Sequence, residues 1–244
     1  MKLVAFNGSP RGKEGNTHVM VEEFLKGAEK AGAETESIFL AEKELKHCQG
    51  CFGCWLKTPG KCVLKDDMEY LRAKYLKADL ALFATPLYLA NFSGLMKDFL
   101  DRLFLPFLDP HLKRDEPGTM THPLRQVKLP KYVFLSSCGF AEQTQFKLLR
   151  LLFRELVESE SEILAEIYRG EGGLLKVEAE GFQPILLNYK KLLRKAGKEV
   201  IKNGKLSEKT ASKLEKPLIP YELFLEIGNK TFDEILTERA KQKG

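Results

Sequence analysis

The sequence lacks any apolar run that approaches the ~20 residues needed to span a bilayer. Its first residues pass from Met1 and Lys2 into a short apolar run and a turn, too brief for the apolar region of a signal peptide. Five cysteines, an odd number, would leave one thiol unpaired in any disulfide scheme. These absences predict a cytoplasmic protein with reduced thiols and no membrane partner.

The charge of the chain does not indicate a nucleic-acid-binding protein. The 244 residues carry a formal net charge of +5, spread along the sequence, and 43% of them are hydrophobic. A basic helix is expected over residues 185–201, but no aromatic residues alternate with its lysines as in a nucleic-acid surface. The composition therefore predicts a globular protein of one large domain, or one domain with an appendage, and no nucleic-acid partner.

Strand and helix patterns alternate along the chain. Apolar runs predict strands over 3–7, 34–40, 79–85, 132–136 and 162–168, and helical spacing predicts helices over 17–31, 66–77, 93–105, 143–157 and 185–201. This alternation is typical of a three-layer α/β fold with a doubly wound parallel sheet of order 2-1-3-4-5. Ligands of such sheets bind where the strand order reverses, at the carboxyl ends of strands one and three.

The first loop at that edge contains neither a Gly-x-x-x-x-Gly-Lys-Ser/Thr motif nor Gly-x-Gly-x-x-Gly. It reads Gly-Ser-Pro-Arg-Gly-Lys-Glu-Gly-Asn-Thr over residues 8–17, and a helix follows at once. Hydroxyls, backbone amides and a helix N-terminus favour a single terminal phosphate. The alternative is a surface turn with an Asn or Thr cap.

Two further loops reach the same edge. Residues 85–94 offer an aromatic ring, an amide and backbone donors that suit the rim of a planar heterocycle, although the aromatics could equally be core and Asn91 or Ser93 a helix cap. Residues 136–140 are small and polar. Cys138 in this loop is either a reactive thiol or, as more often at a strand end, a half-buried one.

The other four cysteines lie within fifteen residues. Their spacing is Cys-x2-Cys-x2-Cys-x7-Cys, at Cys48, Cys51, Cys54 and Cys62. Such crowding is typical of ligands to an iron–sulfur cluster. Zinc usually takes two separated Cys-x2-Cys pairs, a disulfide pair is disfavoured in the cytosol, and four empty thiols, as a vestige or a redox sensor, remain an alternative.

Together these motifs resemble the iron–sulfur flavoproteins, within the flavodoxin-like family of NAD(P)H-dependent FMN reductases. The residues that carry the resemblance are Ser-x-Arg and Asn-Thr after strand one, Thr-Pro-Leu-Tyr after strand three, and the compact cysteine motif. The likeness extends through residues 61–68, 94–102 and the tail from 196 to 229. It implies a flavodoxin-like domain over 1–204, with a cysteine loop at 47–63 and a helical C-terminal extension over 205–244.

The resemblance also implies cofactors and their ligands. It assigns the FMN phosphate to the first loop, the edge of the isoalloxazine ring to the second, and the other face or the ribityl chain to the third, and it assigns a [4Fe-4S] cluster to the four cysteines. The cofactor-binding residues would be Ser9, Arg11, Asn16, Thr17, Pro86, Leu87, Tyr88, Asn91, Ser137, Cys138 and Gly139. The cluster ligands would be Cys48, Cys51, Cys54 and Cys62.

The implied function is electron transfer by an FMN-dependent oxidoreductase with a [4Fe-4S] cluster. Ferredoxin or NAD(P)H would supply electrons, a small molecule would accept them, and no side chain is needed as a catalytic acid or base. The alternatives are a cluster-free NAD(P)H-dependent FMN or quinone reductase and a non-enzymatic electron carrier or redox-responsive protein. The apolar tail and the helix over 93–105 predict a homodimer or homotetramer, and the long segment 106–130 is expected to cover the flavin.

Overall fold

A computed structural model describes residues 1–114, 118, 120–125, 127–157 and 161–241 of the chain. The main sheet has five parallel strands, β1 (Lys2–Asn7), β2 (Glu34–Phe39), β3 (Leu80–Pro86), β6 (Lys131–Ser137) and β7 (Ile163–Arg169). Their order is β2-β1-β3-β6-β7. Counted along the chain within this sheet, that is the predicted order 2-1-3-4-5, so the predicted flavodoxin-like fold is confirmed.

The eight α-helices among the described residues surround this sheet or extend from it. They are α1 (Asn16–Glu29), α2 (Gly53–Leu56), α3 (Met68–Leu76), α4 (Gly94–Phe104), α5 (Lys147–Val157), α6 (Gln183–Asn203), α7 (Glu208–Glu215) and α8 (Tyr221–Lys241). A short antiparallel ribbon, β4 (Lys113–Arg114) with β5 (Met120–Thr121), lies outside the main sheet. None of the helices in the described ranges has the length and apolarity to cross a membrane.

Alternating strand residues divide the core into two layers. On one face of β1 and β3, Val4 and Phe83 pack with apolar residues of α3, α4 and α5. On the other face, Leu3 and Leu82 pack with residues of α1, α6 and α7. Both faces of the central strands are therefore buried, which explains why their sequences are continuous apolar runs.

The end of each central strand leads into a loop at one edge of the sheet. Ser93, the N-cap of α4, accepts a hydrogen bond from the Met96 backbone N–H and donates its own hydroxyl to the Gly8 carbonyl at 2.5 Å. The backbone N–H of Gly8 in turn donates to the carbonyl of Ala84 at the end of β3. These bonds join the loop after β1 to the loop after β3, at the predicted ligand edge.

The C-terminal extension has two different parts. Helix α7 is capped by Ser207, as its sequence indicates, and Leu214 is fully buried in the core beside α6. Helix α8 has no buried residue at all. The proposed domain boundary at residue 205 stays a prediction, and residues 242–244 of the proposed extension lie outside the described ones.

Candidate functional site

One cavity at the carboxyl edge of the sheet brings together the three predicted loops. Its volume is about 190 Å³. Ten of the eleven predicted cofactor-binding residues line it, all of them except Asn91. We call it the rim cavity; its described lining is Ser9, Arg11, Gly15, Asn16, Thr17, Pro86, Leu87, Tyr88, Ser137, Cys138, Gly139, Gly172 and Gly173.

The floor of the rim cavity is built from buried hydroxyls. Ser9 and Thr17 are almost fully buried, and the Thr17 Oγ1 lies 3.1 Å from the Ser137 Oγ, which joins the first and third loops. Ser9 Oγ accepts a hydrogen bond from the Arg11 backbone N–H at 3.3 Å, and the Ser9 N–H donates to Asn7. The loop is therefore fixed around its hydroxyls rather than extended into solvent.

Helix α1 points its N-terminus at this floor. Its N-cap is Gly15, which has no side chain to occupy the first-turn N–H groups, and no acidic residue stands in the first turn. A Cβ on Gly15 would collide with the Ser9 side chain, so this close approach requires glycine. An uncapped N-terminus with positive potential, hydroxyls around it and Arg11 beside it suits a phosphate group.

The second loop borders the cavity with a turn. Leu89 and Ala90 have positive φ angles of 46° and 62°, and Tyr88 and Asn91 exchange backbone hydrogen bonds across them. Tyr88 lines the cavity with 45% of its surface exposed. Asn91 accepts a hydrogen bond from the Phe92 backbone N–H at 2.7 Å instead, so its flavin contact stays a prediction.

The third loop places Cys138 in the wall of the cavity as a neutral thiol. Its Sγ donates to the Phe140 carbonyl at 3.4 Å. Burial raises the pKa of the Cys138 thiol to about 11. A thiol protonated at neutral pH is a poor nucleophile, so the cavity wall here supplies packing rather than a reactive sulfur.

Sequence reasoning missed Gly172 and Gly173, which follow β7. Gly172 donates its N–H to the Cys138 carbonyl at 2.7 Å, and this bond brings a fourth strand-end loop to the cavity. The preceding Glu171 is held at φ 54° by its buried carboxylate, which accepts bonds from the backbone N–H groups of Leu218 and Ile219. The sequence Gly-Glu-Gly-Gly directly after the last strand was the available signal.

A second cavity, the cysteine cavity, contains all four predicted cluster ligands. Its volume is about 170 Å³. Burial, and then the charges of Cys62, Cys48 and Cys51, raise the pKa of Cys54. The four sulfurs are therefore neighbours, although no group of three or more candidate ligands in the described ranges is close enough for a single metal ion.

Apart from the four thiols and Gln49, the cysteine cavity is lined by apolar residues and glycine. Helix α2 carries Cys54, and Trp55 beside it donates its indole N–H to the Leu105 carbonyl at 2.7 Å. Phe52 adopts φ 53° just before this helix. A cluster is wider than a single ion, so four thiols around a larger apolar space fit a cluster better than a zinc ion.

Part of the described segment 106–130, which was expected to cover the flavin, lies against the cysteine loop. His122 packs its ring on Trp55 with 4.7 Å between centroids, and Pro106 and Arg125 lie near Gly60 of the cysteine loop. No described residue of the segment 106–130 lines the rim cavity. Residues 115–117, 119 and 126 of this segment lie outside the described ones, and other residues of it pack against the core. The expected cover over the flavin stays a prediction.

Comparison with known proteins agrees with this geometry. Residues 1–122, half of the chain, match the family model described as NADPH-dependent FMN reductase. The chain belongs to the NADPH-dependent FMN reductase family. The resemblance inferred from the loop and cysteine motifs is thereby confirmed.

Among curated relatives of the family, two iron-sulfur flavoproteins are similar to the first part of the chain. One, from Archaeoglobus fulgidus, is 39% identical over 107 residues, and one from Methanocaldococcus jannaschii is 41% identical over 102 residues. The matches cover 44% and 42% of this chain and 47% and 51% of those proteins. The chain thus matches about half the length of these relatives.

Solved structures share the fold at low sequence identity. An NAD(P)H:quinone oxidoreductase from Methanothermobacter marburgensis superposes with a TM-score of 0.58 at 17% identity, over 82% of this chain and 94% of that one. An FMN-dependent NADH-azoreductase from Bacillus anthracis, solved in complex with FMN, gives 0.59 at 14% identity, over 82% and 99%. At these identities the likeness shows the fold alone.

Proposed function

We propose that the protein is an FMN-dependent oxidoreductase that carries a [4Fe-4S] cluster and passes electrons from ferredoxin or NAD(P)H to a small acceptor. The observation that supports it most is the rim cavity, where loops from four strands gather at the point of strand-order reversal. The family match and the names of the curated relatives support the same reading.

The hydrogen-bond donors and the charge of the rim cavity suit FMN. The first turn of α1 and the hydroxyls of Ser9 and Thr17 would hold the phosphate, and Arg11 would neutralise its charge. Pro86, Leu87 and Tyr88 would border the ring, while the small residues after β6 and β7 leave room for the ribityl chain. Neutral Cys138 would add a polar but unreactive wall.

The cysteine cavity fits an iron–sulfur cluster by its donor set. Cys48, Cys51, Cys54 and Cys62 all line it, and thiolates are the ordinary ligands of such clusters. The chemistry supplied by the two groups would be hydride or single-electron exchange at the flavin and single-electron transfer at the cluster. The chain would bind and orient both groups and exclude water from them.

A cluster-free NAD(P)H-dependent FMN or quinone reductase is the second candidate. The family description, NADPH-dependent FMN reductase, names no cluster and supports this candidate. Such a reductase would use the rim cavity in the same way and leave the cysteines as free thiols.

Anaerobic purification, followed by a visible spectrum with flavin, iron and sulfide analysis, tests the proposal. We expect one FMN and four iron atoms per chain, and we expect Cys51→Ala to lose the iron but retain the FMN. Flavin without iron in the wild type would support the cluster-free reductase, and no flavin would contradict both candidates. Stopped-flow reduction by NADH, NADPH and reduced ferredoxin then identifies the donor, and reversible reduction without turnover of any acceptor would indicate an electron carrier.

A further inference from the structure

A fully buried ion pair lies behind the cysteine loop. The side chains of Arg102 on α4 and Asp66 are 1% and 0% exposed. Both carboxylate oxygens of Asp66 accept hydrogen bonds from the two terminal nitrogens of Arg102, the Nη2–Oδ1 bond being 2.9 Å long. Burying two charges is costly, and this bidentate geometry offsets part of that cost.

The same guanidinium holds both ends of the cysteine loop. Its Nη1 donates to the carbonyl of Lys46 at 2.9 Å, and its Nη2 donates weakly to the carbonyl of Leu64 at 3.5 Å. Lys46 precedes Cys48 by two residues, and Leu64 follows Cys62 by two. Asp66 adds a bond from the Lys46 backbone N–H at 2.8 Å. Arg102 and Asp66 therefore close the loop that carries all four cysteines.

One donor of Arg102 is left over. A guanidinium has five N–H donors, and the four on Nη1 and Nη2 point to Asp66, Lys46 and Leu64. The fifth, on Nε, is buried and makes no hydrogen bond of normal geometry to any described residue. Cys62 lies beside this guanidinium, and both residues line one cavity of about 450 Å³.

Arg72 of α3 adds a second positive charge at the same place. It lines the same cavity as Cys62, and its Nη1 is also buried with no partner within the described ranges. Its guanidinium lies over the Phe107 ring, 5.5 Å from the centroid. Two guanidinium groups with unused buried donors beside one cysteine indicate that a negative sulfur belongs there.

We propose that Arg102 is a positioning residue for the cluster: it closes the cysteine loop and donates its Nε–H to the Cys62 sulfur when that sulfur is a ligand. The inference rests on the proposed cluster. Hydrogen bonds and positive charge at a ligating sulfur stabilise the more negative, reduced state, so Arg102 raises the reduction potential of the cluster. It also slows the loss of iron, because the loop cannot open while its ends are joined.

The test compares the wild type with Arg102→Lys, which keeps the charge but loses the forked geometry and the Nε donor. Arg154→Lys is the matched control, because Arg154 also bonds a carboxylate, that of Glu166, but lies on α5. We expect Arg102→Lys to show a more negative cluster potential in an optical redox titration. We also expect about tenfold weaker retention of iron against a chelator, with FMN content unchanged. Arg154→Lys should match the wild type in all three.

A second variant keeps the proposal testable if Arg102→Lys does not fold. Arg102→Gln with Asp66→Asn removes both buried charges together, keeps an oxygen acceptor for the Lys46 N–H, and should show the same two changes. Wild-type potential and iron retention in either folded variant would overturn the proposal. If the wild type itself takes up no iron, the proposed cluster is wrong. Hydrogen exchange over residues 46–64 of the iron-free proteins then tests whether Arg102 closes the loop. Faster exchange in Arg102→Lys than in the wild type supports this role, and equal exchange overturns it.

Discussion

Arg11 is the charged residue in the described lining of the rim cavity, and it is exposed. If the phosphate of FMN lies in this cavity, Arg11→Ala removes a charge-assisted hydrogen bond without opening a hole in the core. We expect FMN to bind about tenfold more weakly, since an exposed contact is worth about 1–2 kcal/mol, and the apoprotein to keep its melting temperature. Fluorescence titration of the apoprotein with FMN measures the first effect and calorimetry the second.

Lys13→Ala is the matched control for Arg11. Lys13 lies in the same loop and also carries a positive charge, but its ammonium group lies 5.7 Å from the centre of the Phe39 ring and does not line the rim cavity. We expect its FMN affinity to stay within about twofold of the wild type. Equal losses in both variants would mean that general positive charge, not a contact with the phosphate, determines affinity.

The raised pKa of Cys138 leads to a second prediction at this scale. Since burial raises this pKa to about 11, the thiol is almost entirely protonated at pH 7 to 9 and becomes a thiolate only above about pH 10. We expect the electron donor to reduce the flavin of Cys138→Ala within about twofold of the wild-type rate, because no step uses this sulfur. The rate of flavin reduction in both proteins is measured by stopped flow from pH 6 to pH 9. A pH dependence of this rate that is present in the wild type and absent in Cys138→Ala would contradict the prediction.

Single residues also show where sequence reasoning reached its limit. Ser9, Arg11 and Thr17 could be placed at the cavity because each follows directly from a strand end whose position was predictable. The closing of the cysteine loop by Arg102 could not be predicted, because one buried side chain bonds to positions 36 and 56 residues away. An arginine within an apolar helix pattern is the only local sign, and burial must be known before it becomes informative.

At the scale of elements, the five strands of the main sheet and the helices α1, α3, α4, α5 and α6 matched their predicted bounds to within a few residues, because burial against the sheet determines their periodicity. The polar strand β2 lies at the sheet edge, as its composition indicated. The short helix α2 and the ribbon of β4 and β5 have too few residues for any period, so the sequence could not predict them. The helix over 93–105 was expected to face a second copy, but Met96, Phe99 and Leu103 are buried in the chain's own core.

The turn after β7 gives a prediction at the element scale. A Cβ on Gly172 would lie 2.8 Å from the Cys138 carbonyl oxygen, whereas one on Gly173 would meet no atom within 4 Å. We expect Gly172→Ala to lower the free energy of unfolding by about 1–3 kcal/mol and to weaken FMN binding, because the backbone of two cavity loops must separate.

Gly173→Ala is its matched control and should change the stability by about 0.5 kcal/mol or less. Urea unfolding of the apoproteins gives the stabilities, and titration with FMN gives the affinities. A stability loss of equal size in both alanine variants would show that loss of backbone freedom, and not the close approach of the two loops, is responsible.

Hydrogen bonds to one carboxylate, that of Glu199 on α6, hold the N-terminus of helix α7 in place. Glu199 accepts hydrogen bonds from the Ser207 N–H at 3.1 Å, the Ser207 hydroxyl at 2.9 Å and the Thr210 hydroxyl at 2.8 Å. Burial alone would raise the pKa of Glu199, but these bonds outweigh it and lower the pKa below its ordinary value. A lowered carboxyl pKa stabilises the fold fully above the unfolded pKa of about 4.3, and that contribution is lost as the pH falls through the lower folded value.

Glu199→Gln should therefore cost about 1–2 kcal/mol at pH 7, and the difference from the wild type should shrink between about pH 5 and pH 3. Glu208→Gln, an exposed residue in the first turn of α7, is the control with the same charge change. Denaturant unfolding at several pH values measures both. A difference that does not change with pH would mean that the shape of Glu199 matters and its charge does not.

At the scale of the whole molecule, helix α4 connects the two cavities. Its N-cap Ser93 bonds the loop of the rim cavity, while Arg102 bonds the cysteine loop. Nine residues of helix separate these positions, so the two contacts are offset by about 14 Å along its axis. Helix α4 therefore fixes the two cavities relative to each other within one chain, and only the predicted homo-oligomer would add the cavities of a second copy.

Helix α8 is the surface we expect to form that assembly. It spans 21 residues without a buried side chain, and a helix of this kind gains little stability from its backbone alone. Large apolar side chains recur along it at helical spacing, including Tyr221, Leu225, Phe232 and Leu236, which are 47% to 66% exposed. Burial of these side chains requires a partner, and in a symmetric dimer helix α8 of a second identical chain would pack against them.

Phe232→Glu with Leu236→Glu should therefore reduce the mass in solution from that of a dimer or tetramer to that of a single chain. The charges prevent burial of the apolar face, while the rim cavity, formed by residues before 174, should keep its FMN. Light scattering coupled to size exclusion measures the mass, and Lys230→Glu with Glu234→Lys, which changes charges on α8 but spares its apolar residues, is the control. A wild type that is a single chain at every concentration would contradict the prediction. A double glutamate variant that assembles like the wild type would contradict it as well, because α8 would then not form the interface.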